Sequence, residues 1–157
     1  MSAVFVCSSF FPVVKEKLFS WHETEGFGEL IKHSPNVRVV QAPKSLELGE
    51  KAILEVEIFP FIYRKWVSVH TKLDRPHSFV DEQVAGEGPF LKFQHSHIFV
   101  DVDKGSILSD RIELDFPFLP ISKFPILWNL QSQFRKRHEI TAKSLGVSSK
   151  LLVCDYE

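Results

Sequence analysis

The chain has 157 residues, a length that suits one domain with a sizeable buried core. Its 19 basic and 20 acidic residues give a net charge of -1, without the basic excess by which nucleic-acid-binding proteins displace counterions from phosphates. No apolar run approaches the ~20 residues of a membrane span, no signal-peptide pattern is visible, and Cys7 and Cys154 lack metal-site or disulfide spacing. We therefore expect a cytoplasmic, reduced protein with a single domain over residues 1–157, in which 147–157 form a C-terminal tail.

The first part of the chain predicts one strand followed by two short helices. Residues 3–11 are β-branched and aromatic, which is typical of a strand. Apolar residues then recur at helical spacing up to about His22. Gly26 and Gly28 interrupt this pattern, and a second short helix is expected to end near His33.

From residue 37 onward the apolar residues alternate with a period of two, which indicates strands with one buried face. Turn-forming residues separate six such segments, predicted over 37–42, 52–59, 63–73, 77–84, 90–102 and 106–116. The connections are short, so we expect mostly antiparallel pairing.

The last predicted element is a long helix over about residues 122–145. Ser122 is the expected N-cap, Pro125 falls in the first turn, and Gly146 is a natural stop. The helix stripe expected to face the sheet consists of Phe124, Leu127, Trp128, Gln131, Phe134, His138 and Leu145. The element order predicts an α+β helix-grip fold. In it a curved seven-stranded antiparallel sheet surrounds the long C-terminal helix, two short helices lie between strands 1 and 2, and a cavity separates sheet and helix.

Three adjacent predicted strands carry polar side chains among apolar ones on the face expected to meet this helix. Because alternate residues of a strand share a face, the residues expected on it are Phe79, Asp81, Gln83, Phe93, His95, His97, Phe99, Leu108, Asp110, Ile112, Leu114 and Phe116. The polar members, Asp81, Gln83, His95, His97 and Asp110, are predicted to form a polar island in an apolar wall. Trp66 and His70 of the preceding strand can join it.

These segments resemble the bacterial ligand-binding members of the START/polyketide-cyclase-like (SRPBCC) superfamily. The resemblance rests on F-x-D-x-Q at 79–83, G-P-F at 88–90, F-x-H-x-H-x-F at 93–99 and S-x-L-x-D-x-I-x-L-x-F-P at 106–117. Relatives often have Trp at the position of Phe93, where this chain departs from the pattern. The resemblance spans residues 3–145 and implies the helix-grip fold. It implies that the space between sheet and helix is used but does not specify an activity, because members bind lipids, hormones and polyketides and a minority catalyse reactions.

Four interpretations of the polar island remain open: mutual structural pairing, ligand recognition, acid–base catalysis and metal chelation by the H-x-H pair with Asp81 or Asp110. The leading functional prediction is binding of a lipid, aromatic or polyketide-like molecule. The alternative is a cyclase/aromatase or dehydratase in which Asp110 works with His95 or His97, and a third class is an interaction protein with a filled core.

The predicted ligand-binding residues are Trp66, His70, Phe79, Asp81, Gln83, Phe93, His95, His97, Asp110, Ile112, Trp128 and Phe134. His22, His33, His77 and His138 are expected to be surface or cap residues. We expect no cofactor and no metal, no nucleic-acid partner, and a monomer or weak homodimer.

Overall fold

The computed structural model describes residues 2–116 and 123–157. Its elements in chain order are β1 (Ser2–Phe11), α1 (Lys15–Trp21), a π-helical turn (His22–Gly26), α2 (Phe27–Lys32), β2 (Val37–Gln41), β3 (Lys51–Phe59), β4 (Ile62–Asp74), β5 (Ser78–Gln83), β6 (Lys92–Val102), β7 (Gly105–Asp115), α3 (Lys123–Ser144) and β8 (Lys150–Tyr156). The predicted α+β class is confirmed, with two short helices after the first strand and a long C-terminal helix. Ser122 and Pro117, to which the sequence assigns the helix cap and the end of the last motif, lie outside the described residues.

The strands form one antiparallel sheet in the order β2-β3-β4-β5-β6-β7-β1-β8. The sheet has eight strands rather than the predicted seven, because residues of the expected C-terminal tail form β8. Cys154 of β8 lies directly opposite Cys7 of β1. In β8 only Cys154 is fully buried, so this edge strand lacks the alternation by which the other strands are recognised.

α3 lies against the inner face of the sheet with a narrow buried stripe. Its buried residues are Leu130, Phe134, His138, Thr141 and Ala142. At 3.6 residues per turn, Trp128 is displaced from Leu130 by more than half a turn, and its side chain is 77% exposed. The predicted stripe is therefore wrong for Phe124 and Trp128, which face away from the sheet, and right for Phe134 and His138.

α1 and α2 are joined by the π-helical turn rather than separated at Gly26. The turn directs His22 into the interior, where its Nδ1 lies 2.8 Å from the carbonyl oxygen of Leu18. Phe19 of α1 packs edge-on against Phe79 and Phe99 of the sheet. These helices therefore cover the end of the inner face at which α3 ends.

The apolar interior is divided into two clusters. One contains Phe5, Phe93, Ile112 and Phe134, and the other lies around Phe99 near α1. The polar island lies between them. Among residues 2–116 and 123–157, no helix has the length and apolar content needed to cross a membrane.

Candidate functional site

Two rows of side chains cross the inner face of the sheet through the polar island. In the first row, Phe79 of β5 lies opposite His97 of β6, and His97 lies opposite Asp110 of β7. This row continues through Cys7 of β1 to Cys154 of β8. Antiparallel registration of neighbouring strands places directly opposite residues on the same face, so these side chains are contiguous.

The second row begins at His70 of β4, which lies opposite Asp81 of β5. Asp81 lies opposite His95 of β6, and His95 lies opposite Ile112 of β7. The structure therefore brings together both aspartates and both histidines on which the sequence prediction rests.

Asp110 accepts hydrogen bonds from three imidazole rings. Its Oδ1 lies 2.9 Å from His95 Nε2 and 3.0 Å from His97 Nδ1, and its Oδ2 lies 2.8 Å from His138 Nε2. Nδ1 of His138 lies 2.7 Å from Ser9 Oγ. Because an ionised carboxylate only accepts hydrogen bonds, each of the three ring nitrogens facing Asp110 carries a hydrogen.

Asp81 lies on the other side of the two β6 histidines. Its Oδ1 is 3.0 Å from His97 Nε2 and 3.7 Å from His95 Nδ1, and its Oδ2 accepts a hydrogen bond from Ser68 Oγ at 3.1 Å. The Asp81 side chain is 20% exposed, whereas that of Asp110 is 3% exposed. Asp81 is thus the accessible carboxylate of the island.

Burial and hydrogen bonding oppose each other in setting the charges of the island. Burial alone would raise the pKa of Asp110, but hydrogen bonds from His138, His95 and His97 hold that pKa well below its usual range. Burial disfavours a charged His97, yet its hydrogen bonds to Asp110 and Asp81 outweigh this and raise its pKa. Burial lowers the pKa of His95. The island therefore holds two carboxylates, with His97 as the imidazole most readily charged.

Most of the predicted apolar site residues are packed into the interior around the island. Phe79 stacks on the ring of His97 with centroids 3.9 Å apart, and Phe134 meets the ring of His95 edge-on at 5.2 Å. Phe93 and Ile112 are buried in the same cluster as Phe134. Phe79 and Phe134 thus contact the two histidine rings directly, and Phe93 and Ile112 pack in the same apolar cluster as Phe134.

Gln83 has a local structural role. Its Nε2 donates to the carbonyl oxygen of Phe90 at 2.7 Å, and its Oε1 accepts from the Phe90 N–H at 3.3 Å. The side-chain amide therefore braces the loop between β5 and β6 and does not join the network of the aspartates and histidines.

Trp66 and His70 of β4 each present an unpaired polar atom. Trp66 Nε1 and His70 Nδ1 are buried and make no hydrogen bond within the described part of the chain. Their rings lie against aromatic neighbours: Trp66 is 4.9 Å from Phe93, and His70 is 6.2 Å from Phe79, between ring centroids. Unpaired buried polar atoms are uncommon in folded proteins, so these two atoms are unusual among the described residues.

Trp128, although predicted to bind ligand, lies outside this region. It lines an open groove of about 550 Å³ on the outer face of α3, together with Gln131, Ser132, Arg135, Lys136 and Glu139. A second groove, of about 490 Å³, lies between the end of β1 and the turn that joins β6 to β7. Neither groove is lined by a residue of the polar island.

Sequence reasoning missed two histidines and the cysteine pair. His22 and His138 were expected as surface or cap residues, although the predicted stripe of the long helix already included His138, and both are buried. His138 follows Phe134 by one helical turn, so its place on the buried stripe was a usable signal. The pairing of Cys7 with Cys154, which lie directly opposite each other on β1 and β8, had no such signal because it depends on β8.

One group in the described residues has the composition of a metal site. One ligand atom each from Asp81, His95 and His97 lies within 4.8 Å of the others. His95 and His97 are two residues apart on one face of β6, and Asp81 lies opposite His95.

No protein-family model matches the chain, and no curated protein matches it. Solved structures do. A nucleoside-diphosphate sugar epimerase from Corynebacterium glutamicum matches with 22% identity and a TM-score of 0.67 over 90% of this chain, which spans only 29% of the epimerase chain. The di-domain ARO/CYC StfQ of the steffimycin biosynthetic pathway matches with 13% identity and a TM-score of 0.68, covering 94% of this chain and 53% of StfQ.

Norcoclaurine synthase from Thalictrum flavum matches with 14% identity and a TM-score of 0.65, covering 92% of this chain and 87% of the synthase. These identities are low, so the similarities bear on the fold alone. The chain has the helix-grip fold that its sequence predicts, with a curved antiparallel sheet and a long C-terminal helix.

Proposed function

We propose that the protein binds a hydrophobic small molecule, a lipid, aromatic or polyketide-like compound, between the inner face of the sheet and α3. The observation that carries this proposal is the pair of buried, unpaired atoms Trp66 Nε1 and His70 Nδ1. Leaving a buried polar group without a partner costs about 1–3 kcal/mol. A ligand oxygen placed beside β4 would remove that cost.

The surroundings of the two atoms match the chemistry of such a ligand. Trp66 and His70 are four residues apart on one strand, so they lie on the same face. Phe90 and Phe93 flank the Trp66 ring at 5.6 and 4.9 Å. Small-molecule sites typically combine apolar walls with a few polar groups that fix orientation. The bacterial ligand-binding subfamily, predicted from the motifs, is the group of relatives that this proposal favours.

Binding can be tested with the fluorescent probe 1-anilinonaphthalene-8-sulfonate and with native mass spectrometry of protein purified from its own host. We expect one probe molecule per chain, displaced by the compound that co-purifies. Trp66→Phe keeps the ring and removes Nε1, and it should weaken binding by about tenfold, corresponding to about 1.4 kcal/mol. The unliganded variant should keep its stability, because the substitution removes an unpaired N–H.

Trp128→Phe is the matched control, since Trp128 lies on the outer face of α3. It should leave probe affinity unchanged. Absence of both probe binding and a co-purifying compound would overturn the proposal. Equal loss of affinity in the two tryptophan variants would also overturn it.

A second candidate is a cyclase/aromatase or dehydratase that uses an Asp–His pair. Asp81 and His97, 3.0 Å apart, favour this candidate because Asp81 is the accessible carboxylate. Asp110, the base suggested by the sequence, already accepts from three imidazoles and is poorly placed to take a substrate proton. Turnover of a candidate polyketide-like substrate that disappears in Asp81→Asn, while probe binding persists, would support the enzyme.

We also propose a reducing, cytoplasmic location and a monomer or weak homodimer, both inferred from the sequence. Cys7 and Cys154 support the location, because they face each other as free thiols and disulfides form readily in oxidising compartments. Mass spectrometry of alkylated protein taken directly from cells checks this: two alkylated cysteines are expected, and a disulfide would contradict it.

A further inference from the structure

His95 and His97 are held in a shared orientation by Asp110. Each directs one ring nitrogen to Asp110 Oδ1, His95 through Nε2 at 2.9 Å and His97 through Nδ1 at 3.0 Å. Those nitrogens carry the hydrogens, because the carboxylate only accepts. The lone pair of a neutral His95 therefore lies on Nδ1, whereas His97 Nε2 carries a hydrogen that it donates to Asp81 Oδ1 and that a bound metal would displace.

His95 Nδ1 and His97 Nε2 are both turned toward one oxygen of Asp81. Oδ1 of Asp81 lies 3.0 Å from His97 Nε2 and 3.7 Å from His95 Nδ1. Three potential metal-ligand atoms thus lie close together. A proton on His97 Nε2 satisfies one of the two contacts, but the distance of 3.7 Å leaves His95 Nδ1 beyond hydrogen-bonding distance of the same oxygen. A multivalent cation can satisfy all three atoms.

The separations suit a first-row transition metal. Metal–ligand bonds of 2.0–2.2 Å place neighbouring ligand atoms about 2.8–3.6 Å apart in octahedral or tetrahedral sites. The observed 3.0 and 3.7 Å lie around this range, so small rotations of the His95 ring and Asp81 carboxylate would complete the geometry. Two imidazoles and one carboxylate are a donor set that such metals accept.

The groups around these three residues have the arrangement of an outer coordination sphere. In metal sites the second ring nitrogen of a ligating histidine usually donates to a carboxylate, which fixes the ring and its tautomer. Asp110 does this for both histidines, and His138 in turn donates to Asp110 Oδ2. Ser68 donates to the oxygen of Asp81 that does not face the histidines. A divalent cation would also balance the two negative charges of Asp81 and Asp110.

Access and an open coordination position lie on the side of β4. The Asp81 side chain is partly exposed, and His70, its direct neighbour across the strand pair, keeps Nδ1 buried and unpaired. This atom is available either as a further ligand or as a partner for a metal-bound oxygen.

We propose that Asp81 Oδ1, His95 Nδ1 and His97 Nε2 bind a divalent first-row transition metal, with Asp110 as the carboxylate that orients both histidines. This site goes beyond the proposed binding of an organic molecule and does not depend on it. It also assigns to the H-x-H pair of β6 a role that spacing alone supports only weakly, because the third ligand and the orienting carboxylate come from neighbouring strands.

The test uses the full chain, stripped with a chelator and then titrated with Zn²⁺ or Co²⁺. Isothermal titration should show one tight equivalent, and bound Co²⁺ should give visible absorption without a sulfur-to-metal charge-transfer band. Zn²⁺ should raise the thermal midpoint of the wild type, as expected of any ligand that binds the folded state alone. These readouts need no assumption about an activity.

Asp81→Asn removes one ligand charge while keeping the size of the side chain. We expect the affinity for Zn²⁺ to fall by at least about tenfold, of the order seen when metal-site groups are altered, with an unchanged circular dichroism spectrum. His33→Gln/His77→Gln removes two exposed histidines and should leave the affinity unchanged. If the His95 or His97 variants fail to fold, Asp81→Asn still decides the question.

Two results would overturn the metal site: substoichiometric metal after loading, or equal affinity in wild type and Asp81→Asn. Loss of binding only in the His33/His77 variant would identify surface binding and overturn it as well. Metal binding without binding of the fluorescent probe would leave this site standing and remove the proposed organic ligand, so the two failures are distinguishable.

Discussion

Asp110 accepts hydrogen bonds from three imidazole rings and has almost no contact with solvent. Asparagine has one acceptor oxygen, and its amide would place donor hydrogens against ring N–H groups. We expect Asp110→Asn to lower the free energy of unfolding by about 3–5 kcal/mol, as when one partner of a buried charged pair is removed. Urea denaturation measures this.

The matched control for Asp110→Asn is Asp103→Asn in the exposed turn between β6 and β7. Its free energy of unfolding should stay within about 0.5 kcal/mol of the wild type. A similar small effect at Asp110 would mean that the carboxylate does not hold the histidines.

His22 should make stability fall in mild acid. Burial lowers the pKa of His22 to about 3 in the folded protein, against ~6.5 in an unfolded chain. As pH falls below ~6.5 the unfolded state takes up the proton first. The contribution of His22 to the free energy of unfolding therefore declines by about 1.4 kcal/mol per pH unit until the pH reaches the pKa of the folded state.

Urea unfolding of the wild type and of His22→Gln, measured from neutral to mildly acidic pH, tests this directly. In His22→Gln the slope of the free energy of unfolding against pH should correspond to about one proton fewer taken up on unfolding. His33→Gln, at an exposed position, should keep the slope of the wild type. Identical slopes for wild type and His22→Gln would show that His22 is not kept neutral by burial.

Individual site residues were predictable where only local alternation was needed. The period of two placed His95 and His97 on one face of β6, and it placed Asp81 and Asp110 each on the apolar face of its own strand, since those inferences need no knowledge of neighbouring strands. To predict their contact with His138, the rotation of α3 about its axis must also be known. That rotation was hard to predict because large apolar side chains, here Phe124 and Trp128, also occur on exposed faces.

Replacing glycine by alanine should have opposite effects on stability in β7 and in α2. A methyl group at Gly105, the first residue of β7, would lie 2.2 Å from the carbonyl oxygen of Phe11, whereas one at Gly28 in α2 would meet nothing within 4 Å. We expect Gly105→Ala to lower the free energy of unfolding by about 1–3 kcal/mol through overpacking. Gly28→Ala should raise it by about 0.5–1 kcal/mol by reducing chain entropy.

Thermal and urea unfolding of both variants check this pair. Stabilisation by Gly105→Ala would contradict the close approach of β1 and β7 at that point. Destabilisation by Gly28→Ala would contradict the open surroundings of α2.

Elements were predictable in proportion to how sharply burial alternates within them. In β7 every second residue is buried, and its range was recovered almost to the residue. β8 shows almost no alternation, so nothing in its sequence separates an edge strand from a tail. The π-helical turn was not predictable for a different reason. It contains Gly26, and because glycine commonly interrupts a helix, the sequence predicted a break there.

At the scale of the whole molecule, β8 contributes buried side chains to the interior. Cys154 is buried, Tyr156 meets the ring of Phe5 edge-on at 6.2 Å, and the Tyr156 hydroxyl donates to the Lys123 carbonyl oxygen at 3.2 Å. Deletion of residues 150–157 should cost at least about 3 kcal/mol of apolar burial. For a domain of this size, that lowers the thermal midpoint by roughly 6–12 °C.

Calorimetry of the truncated chain measures the shift. Leu152→Lys changes an exposed position of β8 while leaving the strand in place, and it should have little effect. An unaltered midpoint after truncation would show that β1 needs no covering strand.

The overall architecture was predictable because element order and length restrict an α+β chain to few arrangements. Whether the polar residues of different strands meet was not predictable, since a shift of one residue in register moves a whole set of side chains to the other face. The motif resemblance supplied what periodicity could not, an expected function for the space beneath α3.

The row from Asp110 through Cys7 to Cys154 connects the polar island at the centre of the sheet to its edge strand β8. The hydrogen bond from Cys7 and the nearby Arg135 lower the pKa of the Cys154 thiol, while the negative charge of Asp110 raises it. A cation or ligand that changes the charge around Asp110 therefore alters how readily Cys154 ionises. We therefore expect binding beside Asp110 to change the rate at which iodoacetamide alkylates Cys154, a rate that mass spectrometry can follow without a label inside the buried cluster.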